Sequence, residues 1–69
     1  MDFPKFDGTR VCVWIDNCET YFSFYQIAEG FMVSVATLNL VGDAANWYLA
    51  WKLEVGWHDW PMLKSAISW

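Results

Sequence analysis

Positive charge is what this sequence has least of. Lys5, Arg10, Lys52 and Lys64 are its only Lys or Arg residues, against eight Asp and Glu, for a formal net charge of −4. Nucleic-acid binding draws on clustered Lys and Arg that neutralise phosphates. Four scattered cations do not supply that footprint, so this segment is not expected to bind nucleic acid directly. Cysteine is scarce too, with only Cys12 and Cys18. On a helix that spacing places the two on different faces, about 9 Å apart at Cα and beyond disulfide reach. They read as two buried or half-buried thiols of an intracellular protein. Gly8, Gly30, Gly42 and Gly56 are each isolated, which leaves no phosphate-cradling loop. Long apolar runs are missing as well. Gly30 to Gly42, the longest uncharged stretch, contains Ser34, Thr37 and Asn39 and falls short of the ~18 consecutive apolar residues of a membrane span. Met1-Asp2-Phe3-Pro4-Lys5 is not a basic start followed by an apolar core, so no signal peptide is expected.

Apolar side chain is what the sequence has in excess: 57% of its 69 residues are hydrophobic, and six Trp, five Phe and three Tyr are among them. A chain this short makes one domain at most and buries only about 60% of the surface that its unfolded form exposes. Each large aromatic asks for roughly 150–250 Å² of burial. Apolar surface is therefore expected to stay open unless a partner, a second copy or further chain covers it.

Residues 1–9 read as an extended arm. Phe3-Pro4 holds Phe3 out of helical geometry, Phe6-Asp7-Gly8 has turn chemistry, and Phe3 and Phe6 are placed to anchor the arm on the helices. The domain proper is assigned to residues 10–69. Thr9 or Asp7 can cap a first helix running to about Gln26, with Val11, Trp14, Ile15, Cys18, Tyr21, Phe22 and Tyr25 at the three-and-four spacing of an amphipathic helix. Ile27-Ala28-Glu29-Gly30 breaks it. Phe31 to Val41 is apolar nearly all round; its β-branched residues leave a strand open on propensity, and a buried helix is preferred because its neighbours are helical. Gly42 suits a left-handed stop to that helix. Asp43 can cap a third helix from Ala44 to about Val55 with an apolar stripe of Ala44, Trp47, Tyr48, Trp51 and Val55. Gly56 ends it. Asp59 caps a fourth, with Pro61 in its first turn and Trp60, Leu63 and Ile67 repeating at three and four. The fold class is therefore all-α, a small bundle of about four helices preceded by an extended arm. Its candidate core is Phe6, Trp14, Ile15, Cys18, Tyr21, Phe22, Val33, Ala36, Leu40, Ala44, Trp47, Tyr48, Trp51, Trp60, Leu63 and Ile67. Trp57 and Trp69 fit the stripes less well and are candidate interface residues, since Trp is enriched in binding hot spots.

Chemistry is thinly represented. His58-Asp59 is the one pair that invites a catalytic reading, but no Ser or Cys at a nucleophile turn accompanies it. Cys12, Cys18 and His58 lack a recognisable metal-ligand spacing. Asp7, Asp16, Asp43 and Asp59 are explained by helix capping and solvation. No catalytic residue, metal site or cofactor is assigned.

The order of these signals resembles the Gag polyprotein of gypsy-type LTR retrotransposons. Phe3-Pro4-Lys5-Phe6-Asp7-Gly8-Thr9 is similar to the family's F-P-x-F-D-G-x opening, and Trp14 to Phe22 is similar to its W-I-x-x-C-x-x-Y-F helix. Val33 to Ala44 resembles its K-V-S-x-A-x-x-x-L-x-G-x-A element. Trp47-Tyr48 matches its paired aromatics, and Trp60-Pro61-x-Leu63-Lys64 its W-x-x-F/L-K segment. Gly30-Phe31-Met32 departs from the polar turn usual before the second helix, and the pattern stops at Trp69, which suggests a fragment or a degenerate copy. The resemblance implies the amino-terminal lobe of a retroviral-type capsid: a helical, cytoplasmic, non-enzymatic module that associates with other Gag copies, away from any membrane, and leaves RNA selection to a zinc knuckle elsewhere. A helical peptide- or protein-binding module derived from such a lobe is the competing expectation.

Overall fold

The computed structural model describes residues 3–68, and Trp69, one of the two candidate interface residues, lies outside them. Four helices follow one another: α1 (Val11–Phe24), α2 (Glu29–Thr37), α3 (Gly42–Val55) and α4 (Trp60–Ile67). Among the described residues there is no strand, only an isolated parallel bridge between Phe6 and Leu40. The fold is all-α.

In α1 the side chains buried are Trp14, Cys18 and Phe22, one per turn, while Asp16, Asn17, Glu19 and Thr20 face outward. Neither Thr9 nor Asp7 caps this helix. The N-cap residue is Arg10, held in the left-handed conformation (φ 53°, ψ 49°) with no side-chain cap bond. The Asp7 carboxylate is already committed to the turn before it, accepting from the Thr9 backbone N–H at 3.0 Å and the Thr9 hydroxyl at 2.7 Å. The helix ends at Phe24, short of the expected Gln26. Gln26 is itself left-handed (φ 53°), with Gln26 N–H bonded to Ser23 O and Ile27 N–H bonded to Phe22 O at 2.8 Å. That is the paired-bond stop in which glycine usually occupies the left-handed position.

Helix α2 starts earlier than expected and ends earlier. Glu29 and Gly30 belong to it rather than breaking the chain, and Glu29 places its charge where the helix dipole favours an anion. It stops at Thr37 because the next backbone groups are taken by the arm: Phe6 N–H donates to Asn39 O at 3.0 Å, and Val41 N–H to Phe6 O at 2.8 Å. The expectation of a buried helix reaching Val41 is corrected accordingly. Only Ala36 of α2 is buried, whereas Phe31 is 66% exposed and Leu38, just past the helix, 84%. A nine-residue helix on a domain of this size has one side to bury, and apolar residues all round it leave the other side open.

Gly42 is left-handed (φ 57°), but it opens α3 rather than closing α2. Asp43 does not cap α3 either. Val41 is the N-cap residue, without a side-chain bond, and Asp43 acts from the first turn through its charge. Gly56 ends the helix in a conformation (φ 78°, ψ −130°) that residues with a Cβ avoid. Asp59 then caps α4, its Oδ1 accepting from Met62 N–H at 2.9 Å, with Pro61 in the first turn.

The core joins the arm to the helices. Phe6 stacks on Trp14 with centroids 4.7 Å apart, Trp60 meets Trp14 and Phe22 edge-on, and Phe3 lies against Tyr21 and Phe22. The Trp14 indole N–H, which would be costly to bury unpaired, donates to Pro4 O at 3.0 Å. Helices α2 and α4 pack on each other.

Candidate interaction surface

Phe6, Trp14, Cys18, Phe22, Ala36, Leu40, Ala44, Trp60 and Leu63 are buried and form one cluster; Ile15, Tyr21, Val33, Trp47, Tyr48, Trp51 and Ile67 are half-buried against it. Val55, expected on the inner stripe of α3, is exposed, because the stripe turns away from the core towards the end of that helix.

His58 is used structurally. Its Nδ1 lies 2.7 Å from Gly56 O, an obligate acceptor, so Nδ1 carries a hydrogen, and Nε2 lies within hydrogen-bond distance of the Tyr48 hydroxyl at 2.7 Å. The Trp51 ring meets the imidazole edge-on with centroids 4.8 Å apart. Both ring nitrogens are thus occupied by a clasp that ties the α3–α4 loop to α3. The adjacent Asp59 is tied to its own helix. This is not a constellation for proton transfer to a substrate.

The thiols divide sharply. Cys18 is fully buried, and burial, helped by the neighbouring Glu19 charge, pushes its thiol up to about 12, so it stays protonated and inert. Cys12 is exposed, contrary to the buried or half-buried reading, because it falls on the outer side of α1. Among the described residues no group of three or more His, Cys, Asp and Glu could hold a metal ion.

One functional-looking contact has no sequence signal. Lys64 Nζ lies 2.7 Å from Glu19 Oε2, and the Trp60 indole N–H donates to the same oxygen at 3.3 Å, which clamps α1 to α4 across 45 positions. The Lys64 bond, more than any other influence, holds the Glu19 carboxyl below its usual range.

What remains is surface. Phe31, Leu38, Leu49, Leu53 and Trp57 are exposed on α2, on α3 and in the segments that follow them, Leu53 and Trp57 each by 79%. Trp57, the candidate interface residue that is described, lies at an open cleft of about 410 Å³ with Glu29, Gly30, Val33, His58 and Asp59. A second cleft, of about 260 Å³, separates the arm from α1 and carries Lys5, Asp7 and Arg10. No described helix is long and apolar enough to cross a membrane.

A buried aromatic core pinned by an N-terminal arm, four short helices and open apolar surface agree with a comparison against known families. The model of the N-terminal capsid-like domain of the retrotransposon-derived protein PEG10 matches residues 1–68. The chain belongs to this family. The match spans the arm and all four helices. No curated protein and no solved structure matches the chain. The family is one of retrotransposon-derived, capsid-like domains.

Proposed function

We propose that this capsid-like domain is a self-associating structural module of Gag, of the gypsy-type LTR lineage that its motifs resemble, acting in the cytoplasm and without catalysis or cofactor. The observation that carries the reading is the set of large apolar side chains left open after folding, Phe31, Leu38, Leu53 and Trp57 among them, on a domain of the capsid-like family. Monomeric proteins seldom leave so many uncovered without a use. The scarcity of Lys and Arg supports a role in protein contacts and assigns no RNA contact to this segment. Light scattering over a concentration series tests it: the mass should rise with concentration. A chain that stays monomeric while it captures extended or helical peptides would replace self-association with the peptide-binding reading.

A further inference from the structure

The cleft beside the arm and the cleft beside Trp57 carry opposite charge, and each has chemistry that the chain does not satisfy by itself. Of the four cations, Lys64 is bound to Glu19, and Lys52 lies over the Tyr48 ring at 5.5 Å. Among the described residues the side chains of Lys5 and Arg10 have no ion-pair or hydrogen-bond partner, and both line the cleft between the arm and α1. Asp7 lies there too, its carboxylate committed to Thr9, so among the described residues the local balance is one positive charge. The other cleft offers Glu29 and Asp59, neither of them in an ion pair, beside an exposed Trp57 indole that stacks on no other described ring. Glu29 begins α2 and Asp59 caps α4. Each helix start offsets about half a charge, which leaves this cleft at about −1.

An open indole flanked by carboxylates is a receptor for a guanidinium, which stacks on the ring through its face and hydrogen-bonds carboxylates through its edge. A lysine ammonium would use only part of that arrangement. Arg10 is the chain's only arginine, and its side chain is exposed and unpaired among the described residues. We propose that copies of this chain join head to tail, with Arg10 of one copy seated on Trp57 between Glu29 and Asp59 of the next. The inference rests on the self-association reading and deepens it. The donor and acceptor clefts share no residue, so a joined pair still has one free cleft of each kind, one on each copy. Such a contact continues into rings or filaments instead of stopping at a symmetric dimer.

Sedimentation velocity over a concentration series, at low and high salt, tests this on the 69-residue chain. Arg10→Glu and Glu29→Arg should each weaken association about tenfold or more, as a close interfacial charge pair does. The double variant, with the charges exchanged, should recover most of the loss. Trp57→Ala should weaken association as well, and high salt should weaken association of the wild type. All of these positions are exposed, and circular dichroism checks that each variant keeps its helices. If the wild type associates and Arg10→Glu leaves that unchanged, the head-to-tail contact is wrong while self-association stands. If Trp57→Ala alone disrupts association, a symmetric aromatic contact replaces it. A wild type that stays monomeric removes both readings.

Discussion

Helix α4 is eight residues long and buries Trp60 and Leu63; α3 is fourteen long and buries only Ala44. Both carry tryptophan, two in α3 and one in the shorter α4, so composition does not separate them. The difference lies in what each is packed against. Trp60 is enclosed by Trp14 and Phe22 of α1, with its indole N–H bonded to Glu19. Trp47 instead stacks on Trp51, and Tyr48 and Trp51 meet His58 edge-on, one side of this group against the core and the other open. The arm, α1 and α4 thus supply the enclosed aromatic core, while α3 and the loop after it present aromatics outward. Aromatic richness in a small chain therefore does two jobs, and only the partner elements decide which.

Trp60→Ala should show this contrast most strongly. Removing a fully packed Trp costs about 3–5 kcal/mol, against a total of about 3–10 kcal/mol for a domain of this length. The variant should lie at or beyond its unfolding transition in a urea titration, whereas Trp51→Ala, half open, should lose clearly less. Equal losses would break the distinction between the two regions. Gly56→Ala comes next. Nothing crowds a Cβ there, so its cost is the backbone conformation alone, about 1–3 kcal/mol in thermal denaturation. It should loosen the end of α3 and the His58 clasp without touching the core.

The Glu19–Lys64 pair should contribute least to stability. Both side chains are partly open to solvent, 33% for Lys64 and 47% for Glu19, so the pair is worth about 0.2–1 kcal/mol. Glu19 has its folded-state value lowered, so its contribution is complete above the unfolded carboxyl value, roughly 4.3, and is lost as pH falls through the folded one. Urea midpoints measured between neutral and acid pH should fall on the acid side, and Lys64→Ala should flatten that part of the fall.

Much of the fold was legible because its signals are local. The Trp14, Cys18 and Phe22 repeat marks the inner side of α1, and Asp59-Trp60-Pro61 carries the whole start of α4 within one turn. The misread boundaries depend on distant partners. α2 ends where Phe6 claims the backbone of Asn39 and Val41, and α1 starts without Asp7 because Thr9 holds that carboxylate. No periodicity reports either choice. The segment from Phe31 to Val41 is apolar enough to read as a buried helix, yet it has too little molecule around it to cover Phe31 and Leu38. The surface was legible in part: Trp57 stood out because it fitted no stripe, whereas its pairing with Glu29 in one cleft needed the folded chain.

The division into a closed core and an open aromatic surface is tested most directly by sedimentation of the wild type and Trp57→Ser, each with its urea midpoint. The account predicts a wild type that associates with rising concentration and a variant that stays largely monomeric. It also predicts midpoints that agree to within about 0.5 kcal/mol in stability, since Trp57 is exposed. A variant that unfolds, or that associates as the wild type does, would contradict it.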